Sequence, residues 1–256
     1  MIDVAQVIAG FSVGTIVGLT GVGGGSLMTP LLVLLFGVHP ATAVGTDLLH
    51  AAISKAGGTC VHASKSRVEW RITLLLAIGS LPAAIITLVC LRIFTGGLGS
   101  SALITTTLGV ALILTAIALA IRLRVDRTPE LQRGGVHTRH PSLTIATGAV
   151  LGVLVSLSSV GAGALGVTAL LFLYPKLAAQ KIVASDLAHA VPLTFVAGLG
   201  YWIFGTVNWT LLLSLLIGSL PGIYVGSNLA GFVPERWLRV LLVVMLSLIG
   251  TKLLIA

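Results

Sequence analysis

Charge is what this chain lacks. Of its 256 residues only 9% are Asp, Glu, Lys or Arg, whereas 56% are hydrophobic and the mean hydropathy is +1.11. A soluble domain carries roughly 25% charged residues, so a water-facing surface cannot be assembled from this inventory. The composition predicts an all-α polytopic membrane protein. Acids are scarcest, at seven, and Asp3, Glu69, Asp126, Glu130 and Glu235 are terminal or lie in links. Cysteine is nearly absent: Cys60 and Cys90, in or beside apolar stretches, read as small hydrophobes rather than as a bridge or a metal pair. The start, MIDVAQ, has no basic n-region and no A-x-A site, so it reads as a first membrane segment and not as a cleaved signal.

Basic residues are present in excess, giving a net charge of +8, but they form no patch interleaved with aromatics. Arg122, Arg124, Arg127, Arg133 and Arg139 cluster in one polar stretch, and most others flank apolar segments. That distribution belongs to loops held on the cytoplasmic side, and it excludes nucleic-acid binding.

Apolar segments fall near 4–20, 24–37, 40–63, 72–94, 101–121, 143–159, 162–174, 177–204, 209–230 and 237–255. The stretch 122–141, RLRVDRTPELQRGGVHTRHP, is a polar linker too short to be a domain. It divides the chain into a first repeat at 1–121 and a second at 142–256. TDLLHA at 46–51 recurs as SDLAHA at 185–190, IGSLP at 78–82 recurs unchanged at 217–221, and Trp70 matches Trp209. All three share an offset of 139, while VGGG at 22–25 answers VGAG at 160–163 at 138, so one residue has been gained between them. Four matches in register indicate an internal duplication.

Five segments per half is an odd number, so the second copy enters the bilayer from the opposite side. The links agree: SKSRVEWR is charged where its counterpart FGTVNW is not, and FGVHP lacks the lysines of YPKLAAQK. This exchange is what the positive-inside rule requires of an inverted five-plus-five repeat. It places the N-terminus outside and the basic linker inside. The second segment of each half is short and follows a glycine turn, GVGGGS or VGAGA, suggesting broken or re-entrant glycine-tipped hairpins and 8–10 spans in all.

Only Asp47 and Asp186 among the acids lie well inside apolar segments, each three residues before a histidine, His50 or His189. That spacing puts both groups on one helical face. Intramembrane ionisable groups are costly and usually face a cavity or a partner, so each pair reads as proton- and substrate-handling. Two alternatives stay open: a structural polar pair that fixes helix crossing, and a metal site of two Asp and two His, unsupported by any HxxxH. The glycine turns fit neither a dinucleotide fingerprint nor a P-loop. Glycine before a helix leaves free N–H groups at the positive end of the dipole, a place for an anion; close helix packing is the plainer use. Gly23, Gly24, Gly25, Ser26, Thr29, Gly161 and Gly163 are the candidate contacts. Lys55, two turns beyond Asp47, reads as a pathway or gate residue, or as a side chain snorkelling to the inner interface. Pro82, Pro192 and Pro221 read as helix breaks.

GLTGVGGGSLMTPLL followed by ATAVGTDLLH, echoed by VGAGALGVTALL and VASDLAHAVP, resembles the sulfite exporter TauE/SafE family over nearly the whole chain. The resemblance places the family motif on Gly21, Gly23, Gly24, Gly25, Pro30, Thr46, Asp47 and His50, then Gly161, Gly163, Asp186 and His189. Alanines at 162 and 164 depart from it. It implies a secondary transporter of sulfite, sulfoacetate or a similar sulfonate in the bacterial cytoplasmic membrane. The expected direction is export, linked to protons through Asp47, His50, Asp186 and His189. The expected partners are a small anion, the lipid bilayer and a second copy in a homodimer, with no cofactor. Rival classes are an uncoupled anion channel or uniporter, a metal-ion transporter, and a membrane enzyme, for which Ser54 four residues past His50 is the nearest nucleophile.

Overall fold

The computed structural model describes residues 3–20, 25–64, 67–95, 101–125, 141–229 and 235–255. Ten helices run through them: α1 (Val4–Thr20), α2 (Gly25–Leu34), α3 (Pro40–Ser64), α4 (Trp70–Thr95), α5 (Ser101–Val125), α6 (Pro141–Ser158), α7 (Ala164–Leu173), α8 (Ala179–Ile203), α9 (Trp209–Leu229) and α10 (Glu235–Ile255). No strand occurs among the described residues. Proline opens α3 and α6, where its missing N–H and fixed φ cost nothing. Each predicted apolar segment contains one helix.

Six helices are long and apolar enough to cross a bilayer by length and composition: α4, α5, α6, α8, α9 and α10. The second helix of each half, α2 or α7, has only 10 residues. At 1.5 Å per residue each is about 15 Å long, roughly half a hydrocarbon core. α5 continues through Val125, so Arg122 is helical rather than part of a linker. Pro82, Pro192 and Pro221 lie within α4, α8 and α9, which run on past them. The expected breaks are absent: each proline removes one backbone hydrogen bond without ending its helix, as packed membrane helices tolerate.

Polarity is distributed inside-out. Phe94, Trp237 and Ile255 are 83%, 72% and 81% exposed, whereas Asp47, Asp186, His50 and His189 are buried. An apolar exterior around a polar interior is the arrangement lipid demands.

The halves interlock. The most extensive pairings are α1 with α9, α4 with α6, α3 with α8 and α5 with α10, and every one joins one half to the other. Exchanging the halves leaves this set unchanged, because α1 corresponds to α6 and α4 to α9. Glycine makes the first two approaches possible. A Cβ at Gly14 would run into the backbone of Ser219, and one at Gly152 into that of Ser80. These two contacts are the same contact in opposite halves.

Candidate functional site

Asp47 is the focus. Its Oδ2 accepts hydrogen bonds from Thr29 Oγ1 at 2.5 Å and Ser159 Oγ at 3.0 Å. Thr29 comes from the short helix of the first half, Ser159 from the turn that precedes the short helix of the second. One carboxylate oxygen therefore joins α2 to the turn before α7. Oδ1 faces His50 Nδ1 at 3.6 Å, across the three-residue spacing read from the sequence. All of these groups are buried.

Ser159 adopts φ 59°, in the left-handed region that a non-glycine residue rarely enters. Matching SSVGAG at 158–163 to TGVGGG at 20–25 sets Ser159 against Gly21. At this position the second half carries a hydroxyl, which reaches Asp47.

The second tip can be followed atom by atom. Gly161 and Gly163 take φ values of 116° and 130°, open only to glycine without strain. The amides of Leu165 and Gly166 turn back to the Gly161 carbonyl at 3.1 and 3.3 Å. The Gly163 backbone amide hydrogen-bonds the Asp186 carboxylate. A Cβ on Gly166 would overlap Asp186 Oδ1. The protein's own carboxylate thus lies where the sequence suggested a guest anion, at the positive end of a helix. Gly21, Gly23 and Gly24 lie outside the described residues, as does the side chain of Ser26; Gly25 and Ser26 open α2.

Each histidine reaches across to the opposite half. His50 Nε2 shares a 2.7 Å hydrogen bond with Ser219 Oγ, and His189 Nε2 shares one of 2.7 Å with Ser80 Oγ. Both serines belong to IGSLP, the five-residue stretch that recurs unchanged. Its exact repetition was the signal for this role, although the sequence alone gave no reason to single out the serine. Asp47 Oδ1, His50 Nδ1, Asp186 Oδ1 and His189 Nδ1 are buried side-chain atoms with no hydrogen-bond partner. Buried polar atoms left in this state are costly.

Lys55 does not snorkel. It is buried, and its Nζ donates to the Ala162 carbonyl in the second tip at 3.0 Å, within electrostatic reach of both Asp47 and Asp186. The inward carboxylates and a bare tip carbonyl hold the ammonium at the centre.

Two further contacts flank the centre. On one side the Glu69 amide donates to Ser185 Oγ at 2.9 Å, Thr73 Oγ1 donates to the Ser185 carbonyl at 3.1 Å, and Lys181 pairs with Glu69 at 2.6 Å. On the other, the Asn208 amide donates to Thr46 Oγ1 at 3.2 Å. Thr46 and Ser185 are sequence equivalents, as are Glu69 and Asn208, so the same strap closes each end and only one is charged. Among the described residues, no three His, Cys, Asp or Glu side chains gather closely enough to hold a metal ion.

A polar centre of buried acids, histidines and a lysine, wrapped by apolar helices, defines a multi-pass helical membrane protein with an internal polar site. The family comparison names its relatives. The chain belongs to the Sulfite exporter TauE/SafE family, whose model matches residues 6–253. It is 36% identical over 255 residues to the "Probable membrane transporter protein YjnA" of Bacillus subtilis (strain 168), covering 98% of this chain and 100% of that one. It is 28% identical over 240 residues to the "Probable membrane transporter protein YdhB" of the same organism, covering 90% and 91%. A more distant relative, "Probable membrane transporter protein MJ0441" of Methanocaldococcus jannaschii, is 26% identical over 270 residues, covering 97% and 94%. No solved structure matches the chain. Family and relatives are transporters rather than enzymes, and the membrane-enzyme alternative is set aside.

Proposed function

We propose that this chain is a secondary transporter that moves a small sulfur-containing anion, such as sulfite, sulfoacetate or a similar sulfonate, out of the cell across the cytoplasmic membrane in company with protons. The observation that carries this reading is the convergence on Asp47 Oδ2 of hydroxyls from both halves, beside histidines that each bond the opposite half. Such a centre couples helix arrangement to protonation. A proton on Asp47 weakens its hold on Thr29 and Ser159, and one on Asp186 weakens its hold on the Gly163 amide. An anion then takes the contacts the carboxylate gives up, and the two occupants alternate. The family's description as a sulfite exporter supports the choice of a sulfur-containing anion.

The halves are related by inversion, with the N-terminus outside and the basic linker inside. The exchange of charge between equivalent links supports this, as does a set of helix pairings unchanged by swapping the halves. An inside-negative potential favours anion exit by about 2.3 kcal/mol per charge per 100 mV. Coupling therefore tunes export rather than drives it.

Reconstitution into liposomes tests the reading, with sulfite, sulfoacetate, sulfate and chloride offered under imposed pH gradients. The wild type is expected to accumulate the sulfur oxyanions or sulfonates in preference to chloride, and Asp47→Asn and His50→Ala to lose the response to the gradient. Normal gradient-driven uptake by both variants removes proton coupling and leaves a uniporter. Failure of the wild type to carry any sulfur anion removes the substrate class.

A further inference from the structure

We propose that the groove between α5, α6 and α7 binds an anionic phospholipid, which lays one acyl chain along the groove and brings its phosphate to Arg122. This site lies outside the polar centre, and its occupancy does not depend on what the protein transports. α7 is too short to cover the flank of α5 and α6 from one face of the bilayer to the other. Beside it opens a cavity of about 610 Å³, lined by Leu114 and Ala118 of α5, Val150 and Leu154 of α6, and Leu165 and Phe172 of α7, among others. The lining is apolar apart from two hydroxyls, on Thr147 and Thr168. Both are spent on carbonyls of their own helices, those of Leu143 and Ala164, at 2.8 and 2.7 Å. A small anion would find no donor along these walls, whereas hydrocarbon leaves nothing unsatisfied.

Length and charge select the occupant. Tyr174, just past α7, hydrogen-bonds Thr144 near the start of α6 at 2.6 Å, so α7 runs back beside α6. From Leu143 to Leu154 the groove follows α6 for about 16 Å at 1.5 Å per residue. That is close to one leaflet of a hydrocarbon core about 30 Å thick. At the end of this run, one turn from the end of α5, Arg122 lines a notch of about 20 Å³ with Thr168 and Phe172, which also line the groove. Such a volume admits a single oxygen-sized group. Arg122 is buried and already engaged within the protein, but a guanidinium has five N–H donors and can hold a phosphate oxygen beside its first partner. Arg124, Arg127, Arg133 and Arg139 lie in the sequence between it and α6. Basic groups at this end favour an anionic headgroup over a zwitterionic one. Occupancy also bears on the centre. Leu165 lines the groove and closes the second tip through its amide, bonded to the Gly161 carbonyl at 3.1 Å. A seated chain therefore packs against the helix whose start meets Asp186.

The experiment uses full-length protein in detergent, with phosphatidylglycerol and phosphatidylcholine of identical acyl chains as probes. In native mass spectra the wild type is expected to hold phosphatidylglycerol about fivefold more tightly than phosphatidylcholine. Its unfolding temperature should rise with the bound lipid. Arg122→Gln is expected to lose most of that preference. Ala146→Trp, which fills the groove from its exposed side, is expected to lose the tightly held lipid altogether. Phosphatidylglycerol with a diazirine in its acyl chain is expected to label residues 143–154 and 165–173. The wild-type measurements need no variant: equal retention of the two lipids, or label spread evenly around the protein, overturns the proposal. An undiminished preference in Arg122→Gln, or undiminished binding in Ala146→Trp, does the same. So does an intermolecular disulfide in Val150→Cys made with Cys60→Ala and Cys90→Ala, which would give the groove to a second copy. None of these readouts measures transport, so this site and the transport reading fail separately.

Discussion

The two aspartates occupy equivalent places in their repeats and live in different surroundings. Asp47 is held by hydroxyls, from Thr29 and Ser159. Asp186 is held by backbone, against the Gly163 amide and the bare Cα of Gly166. Thr168, the match to Thr29, turns instead to the Ala164 carbonyl of its own helix at 2.7 Å. The residue gained by the second half lies between VGAG and SDLAHA, and pairing Thr29 with Thr168 places the gain in the first turns of α7, near Gly166. The histidines, by contrast, kept identical partners at identical distances. The two histidine–serine crossings are alike, whereas the surroundings of the two acids differ.

The sharpest way to break this contrast is Gly166→Leu. Its side chain must displace the Asp186 carboxylate, so folding stability is expected to fall by about 1–3 kcal/mol and transport to be lost. Thermal unfolding in detergent reads the first effect and liposome uptake the second; a tolerated leucine would mean that Asp186 does not need the bare helix. Next come Ser80→Ala and Ser219→Ala. Each leaves a buried histidine nitrogen unpaired, for an expected loss of about 1–3 kcal/mol. The two losses should match closely, and a clear inequality would contradict the equivalence of the two crossings. Ser159→Gly separates strain from bonding: glycine relieves the left-handed backbone but deletes one hydrogen bond to Asp47. A net change within about 1 kcal/mol is expected, with weakened substrate competition at Asp47 and none at Asp186. The smallest effect belongs to Glu69→Gln. The Lys181–Glu69 pair is half-exposed, so its loss is expected to cost about 0–1 kcal/mol and to be masked by high salt. The same salt titration on Asn208→Ala should show no dependence at all.

Much of the architecture was legible in advance because membrane helices announce themselves by composition, and because a duplicated chain repeats its landmarks. Ten apolar segments correspond to ten helices, and the short second segment of each half is a 10-residue helix. Asp47 and His50 sit together as their spacing required. What stayed hidden was contact between halves, since repeat matching aligns equivalent residues and says nothing about which copies touch. Ser80 and Ser219 were visible only as parts of a repeated word, and their bond to a histidine more than 100 residues away is a tertiary fact. Ser159 was hidden because it replaces a glycine, and the docking of Asp186 against the second tip because the sequence does not show which side chain meets the start of α7. Of the two readings of Lys55, the snorkelling one is excluded for a physical reason. A long basic side chain normally escapes toward water, but here two buried acids and an unpaired carbonyl outbid the interface.

The glycine faces of α1 and α6 have a consequence for biosynthesis. Gly14 is shaped to fit Ser219, which leaves the ribosome some two hundred residues later, so the first half must wait in the bilayer with its close-contact stripe unmatched. Chaperoning by lipid or by the insertion machinery has to cover that interval. A gene cut at the linker should yield stable protein only when both pieces are made in the same cell.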